Sequence, residues 1–82
     1  MIDKNTDFPQ YRKMINGKAY YKIINNRSFQ EIQLIGSKMR LQEIVANQYP
    51  EMLRIMDMLA AETPFVEINA SEFEDLFKQI EQ

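Results

Sequence analysis

The chain is 82 residues long, 45% hydrophobic and 27% charged, with a formal net charge of −2 and neither cysteine nor histidine. That length allows a single domain with a thin core, and the missing cysteines exclude a disulfide framework and thiolate chemistry. Without histidine the usual base near neutral pH and the usual nitrogen metal ligand are absent, and the total charge conceals a first half (1–40) of net +5 and a second half (41–82) of net −7. A polarity of that size points to a partner surface or to one half of the fold facing the other.

Residues 1–8 are polar and acidic, not a basic stretch leading into an apolar run. They read as a flexible arm of one domain spanning 1–82, with no signal peptide. Asn16-Gly17 then separates two strand-like runs, about 10–15 and 18–24, with the chemistry of a two-residue type I′ hairpin turn. Asn25 to Ser28 reads as a four-residue loop, and Gly36-Ser37 as a type II′ turn between strands at about 29–35 and 38–45.

Pairing outward from these turns sets Met14 opposite Ala19, Leu34 opposite Met39 and Ile32 opposite Leu41, with Tyr21, Ile23 and Val45 on the same side. The opposite face then receives Tyr11, Lys13, Ile15, Lys18, Tyr20, Lys22, Ile24, Phe29, Glu31, Gln33, Ile35, Lys38, Arg40 and Ile44. It pairs Lys22 with Glu31 and Ile24 with Phe29. A second reading of the third segment stays open: Ser28 as the N-cap of a short helix, Glu31 completing a capping box and Gly36 ending it.

From Asn47 the period becomes helical, with Tyr49, Met52, Ile55, Met56 and Leu59 in register and Pro50 in the first turn, predicting a helix over about 48–62. Thr63-Pro64 breaks it, and Phe65 to Ile68 reads as a short extended link or edge strand. Ser71 with Glu74 forms a capping box for a second helix at about 71–81, striped by Phe73, Leu76, Phe77 and Ile80. The expected fold is α+β: a four-stranded antiparallel meander with both C-terminal helices packed on its Met14/Leu34/Leu41 face.

Residues with chemistry to offer are few. Glu72, Glu74 and Asp75 cluster at the start of the second helix, where acidic side chains complement the positive end of the dipole. The spacing of a calcium loop is missing. No nucleophile elbow or phosphate-cradling glycine loop is present. The expectation is therefore a non-catalytic protein with no cofactor and no bound metal.

Two surfaces stand out. Met52, Met56, Met58 and Leu53 make the first helix apolar over most of its circumference, and Met39 adds a fourth thioether nearby in sequence. This predicts a contact with another chain, a second copy or another protein, through Leu53, Met56, Met58, Ile15 and Ile35. The alternative is a single-stranded nucleic-acid face, on which Tyr11, Tyr20 and Phe29 stack bases while Lys13, Lys18, Lys22, Lys38 and Arg40 track phosphates. Those lysines are equally suited to the acidic helices of a second copy, with Ile15, Ile24, Ile35 and Ile44 between them. No apolar run approaches the roughly 18 residues of a membrane span, so the expectation is a small cytoplasmic homodimeric interaction module.

Overall fold

The computed structural model describes residues 7–81. Its elements are β1 (Gln10–Met14), β2 (Ala19–Asn25), β3 (Ser28–Ile35), β4 (Lys38–Val45), α1 (Tyr49–Leu59), β5 (Phe65–Glu67) and α2 (Ala70–Glu81). All neighbouring strands are antiparallel, in the order β4-β3-β2-β1-β5. The α+β meander with two C-terminal helices is therefore present, and the third segment is a strand, not a helix. The extended link after Pro64 is an edge strand that adds to β1. Of the expected N-terminal arm, residues 1–6 lie outside the described residues, while Phe8 packs against the core.

The first hairpin keeps the expected register, with Lys13 opposite Tyr20 and Arg12 opposite Tyr21. Its turn differs in type. Only Gly17 takes a positive φ, 74°, and its N–H donates to the Met14 carbonyl at 2.7 Å. Ile15-Asn16 thus forms the turn and Gly17 the left-handed residue after it, where type I′ would need positive φ at Asn16 as well. Gly36, at φ 61°, sits first in the β3–β4 turn, as expected.

The second hairpin holds the main departure. The Asn25 side chain accepts from the Arg27 N–H at 2.8 Å and from the Ser28 hydroxyl at 3.2 Å. These bonds tighten the connection to two residues, with Asn25 opposite Ser28. Because Ile23 already pairs with Phe29, Ile24 is left over as a bulge. The expected Lys22–Glu31 and Ile24–Phe29 pairs are replaced by Lys22–Gln30, Tyr21–Glu31 and Ile23–Phe29.

That one-residue step turns β3 and β4 over relative to β1 and β2. One face now carries Arg12, Ala19, Tyr21, Ile23, Phe29, Glu31 and Ile44. The other carries Tyr11, Lys13, Tyr20, Lys22, Ile32, Leu34, Met39 and Leu41. Each face has an apolar centre, so each needs a cover. Helix α1 closes the first, where Ile55 and Met58 join Tyr21, Ile23, Phe29 and Ala46 in the main core. Helix α2 closes the second, where Phe73 is buried against Tyr11 with ring centroids 5.8 Å apart. The two helices therefore take opposite faces, not the single face expected.

Both helix ends have identifiable stops. Asn69, not Ser71, caps α2: its Oδ1 accepts from the Ser71 hydroxyl and from the Glu72 N–H. At the end of α1 the Ala61 N–H donates to Met58 O and the Glu62 N–H to Asp57 O, the paired bonds of a Schellman motif. Ala61 adopts φ 53° there, a left-handed conformation that costs a β-carbon-bearing residue about 1 kcal/mol. Ala61→Gly should therefore raise stability by about 0.5–1 kcal/mol in urea unfolding.

Candidate interaction surfaces

Part of the chain's charge polarity is spent inside the fold, where Arg12, Lys13 and Lys22 of the first half meet Glu67, Glu72 and Glu74 of the second. On the α2 face the Tyr11 hydroxyl donates to Glu74 at 3.2 Å, Lys22 Nζ lies 3.5 Å from the same carboxylate, and Lys13 Nζ lies 3.9 Å from Glu72. The first turns of α2 thus lay their carboxylates over the lysines and tyrosine of β1 and β2. Glu72 and Glu74 are committed to these contacts, and no group of three acidic, histidine or cysteine side chains converges on a metal position among the described residues.

The expected nucleic-acid face does not assemble. Tyr11, Lys13 and Lys22 lie under or beside α2, with Tyr20 next to them and Lys13 Nζ 6.0 Å from its ring. Phe29 is turned to the other face by the bulge and is buried beneath α1. Lys38 and Arg40 share Phe29's face through their pairing with Ile35 and Gln33. Lys18 belongs to the β1–β2 turn. Eight residues expected on one surface are thus divided between two.

Among the described residues two charged side chains are buried, Arg12 and Glu31, each 3% exposed. The Arg12 guanidinium donates from Nε to Met58 O at 2.7 Å and from Nη2 to Leu59 O at 3.2 Å. It therefore neutralises the negative end of α1 from the neighbouring strand. Its remaining donors reach the Tyr11 carbonyl and the Gln10 side chain, and exposed Glu67 lies 3.8 Å away. Burial lowers its pKa and Glu67 acts in the opposite sense.

Glu31 pairs with Arg54 of α1 at 2.8 Å, and the same Nη2 donates to the Tyr21 hydroxyl at 3.1 Å. The Arg54 guanidinium lies 5.4 Å from the ring centres of both Tyr21 and Phe29, within cation–π range. Tyr21 meets Phe29 and Phe65 edge-on at 6.1 and 5.5 Å. This cluster fastens α1 to the sheet and engages both Glu31 oxygens, Oε2 with Arg54 and Oε1 with the Gln33 amide at 3.4 Å. A shallow polar cleft of about 600 Å³ runs beside Gln10, Arg12, Glu67 and Asn69. The polar groups at its floor are already bonded to one another or to α1.

The expected protein-contact residues separate in the same way. Leu53 and Met56 face outward on α1, and they are joined by Tyr49, 70% exposed, at the i, i+4, i+7 spacing of one helix stripe. The single stripe expected from Tyr49, Met52, Ile55, Met56 and Leu59 is divided, with Ile55 buried and Tyr49 and Met56 exposed beside Leu53. Met58 belongs to the core and is fully buried. Ile15 and Ile35 project from the β1–β2 and β3–β4 turns at the other extreme of the meander, while Val45, 57% exposed, lies at the end of β4.

Leu53→Gln and Met56→Gln should each change stability by less than about 1 kcal/mol, whereas Met58→Ala should cost about 2–5 kcal/mol in chemical unfolding. Alkaline pH gives a second test. Burial, then the hydrogen bond and charge of Glu74, raises the Tyr11 pKa above the ordinary 10.0. Burial raises that of Tyr21 as well, against the opposing pull of Arg54. The native state thus holds these phenol protons more tightly than the unfolded chain. Their stabilisation is complete below about pH 10 and lost as pH rises through the higher native values. A stability profile that falls above about pH 10, and falls less in Tyr11→Phe and Tyr21→Phe, is the expected outcome.

Comparison with protein-family models, with curated proteins and with solved structures finds no match for the chain.

Proposed function

We propose that this chain is a small, non-catalytic interaction module of the cytoplasm that acts as a homodimer. The observation that carries the reading is the apolar surface remaining after α1 and α2 have each covered one face of the sheet. Tyr49, Leu53 and Met56 stay exposed along α1, and Ile35 and Val45 stay exposed around β4. The α1 stripe of Tyr49, Leu53 and Met56, exposed on a domain too small to bury it, favours cover by another chain. The commitment of Glu31, Glu72 and Glu74 to cations favours a non-catalytic role. A cysteine-free chain suits a reducing compartment, and no helix among the described residues is long and apolar enough to cross a membrane.

Nucleic-acid binding is the weaker reading, because α2 carboxylates already occupy the Tyr11/Lys13/Lys22 surface. Light scattering on the purified protein at low and high salt, with and without a mixed single-stranded oligonucleotide, separates the two. The expected result is a dimer mass that persists at high salt and does not change with oligonucleotide. A monomer at every concentration would sink the proposal, and a salt-sensitive complex with the oligonucleotide would move the function to nucleic acid.

A further inference from the structure

The sheet has two edges of different character. One is β5, three residues long. The other is β4, eight residues long, paired with β3 through all of them and containing neither proline nor bulge. Short strands, prolines, bulges and charged side chains are the usual means of blunting an edge, and β4 uses only the last, in Lys38, Arg40 and Glu43. Its pairing with β3 begins at Ile35 opposite Lys38 across the two-residue turn, a hydrogen-bonded pair. Alternation then directs the N–H and C=O groups of Met39, Leu41, Glu43 and Val45 away from β3. Among the described residues no backbone hydrogen bond reaches that outer side.

We infer that β4 pairs antiparallel with β4 of a second copy about a two-fold axis at Gln42, joining two sheets into one of ten strands. The inference rests on the homodimer reading and names its interface. Centring the axis on Gln42 uses every outward-facing residue, with Met39 opposite Val45 and Leu41 opposite Glu43 of the second copy. On the α1 face it sets Arg40 opposite Ile44 and Gln42 opposite Gln42. No like charges stand directly opposite one another, and the two Glu43 side chains are diagonal neighbours on the α2 face.

One exposed apolar residue supports the same pairing: Val45, 57% exposed, comes opposite Met39 of the second copy on the α2 face. The axis stands perpendicular to the sheet, so both α1 helices lie on one side of the dimer and both α2 helices on the other.

The absence of native cysteine makes single introduced cysteines clean reporters. Gln42 falls in a non-hydrogen-bonded pair, where opposed Cα atoms approach to about 4.5 Å. Gln42→Cys should therefore form a disulfide-linked dimer on mild oxidation, while Leu53→Cys and Asp75→Cys should not. Glu43→Pro removes an outward N–H that β3 does not use and places a proline ring on the edge. It should weaken dimerisation about tenfold or more with an unchanged circular dichroism spectrum. A wild-type dimer that cross-links through Leu53→Cys and not Gln42→Cys, whatever the fate of the proline variant, would overturn the β4 pairing while leaving the homodimer standing. A wild-type protein monomeric at hundreds of micromolar would overturn both.

Discussion

The architecture depends on one register step. Asn25 binds the backbone and side chain two and three residues ahead, closing β2 onto β3 over two residues and expelling Ile24 from the ladder. With side-chain period two, a single extra residue exchanges the faces of everything that follows in the meander. Had Ile24 been paired, Ile32, Leu34, Met39 and Leu41 would have shared a face with Tyr21 and Ile23, and Phe29 and Ile44 would have lain among the lysines of the other. The bulge instead gives each face an apolar centre. A sheet apolar on both sides requires two covering layers, and the two helices meet that requirement with one layer each.

The same step decides where charges go. Turning β3 over carries Glu31 into the α1 face beside Tyr21, where it would be a buried carboxylate without compensation except for Arg54. Removing one partner of such a pair leaves the other desolvated, which makes Glu31 and Arg54 mutually dependent. Arg12 has a similar standing at the C-terminal end of α1, where its guanidinium donates to the Leu59 carbonyl and adds a second donor to the Met58 carbonyl, which already accepts from the Ala61 N–H. On the opposite face the lysines of β1 and β2 are exposed enough to be hydrated, and their ion pairs with α2 contribute orientation more than energy. The basic first half and acidic second half are thus two parts of one electrostatic arrangement.

The elements themselves were legible because each carried a local signal. Gly17 and Gly36 mark turns, Pro50 marks a helix start, Thr63-Pro64 marks a stop, and the apolar spacing of Phe73, Leu76, Phe77 and Ile80 marks α2. What was not legible was the second hairpin. Asn25, Asn26, Arg27 and Ser28 are all acceptable loop residues, and composition does not distinguish a two-residue connection with a bulge from a four-residue one. That single ambiguity misplaced Phe29 and Glu31, put Lys38 and Arg40 with the wrong neighbours, and set both helices on one face. Met58 was misjudged for a different reason. Helix α1 is apolar over so wide an arc that spacing alone leaves the position of its core unspecified, and Tyr49 and Met58 exchange roles accordingly.

The pairing of β5 with β1 has a consequence for how the molecule is made. Every other strand contact joins neighbours in sequence, formed as soon as a turn has closed; this one joins Met14 to Phe65 and must wait for α1. As the chain emerges from the ribosome the meander can zip up in order, but the outer side of β1 stays unpaired until residues 65–67 appear. Until then the open edge beside β2 is the five-residue β1; afterwards the three-residue β5 stands as the edge in its place.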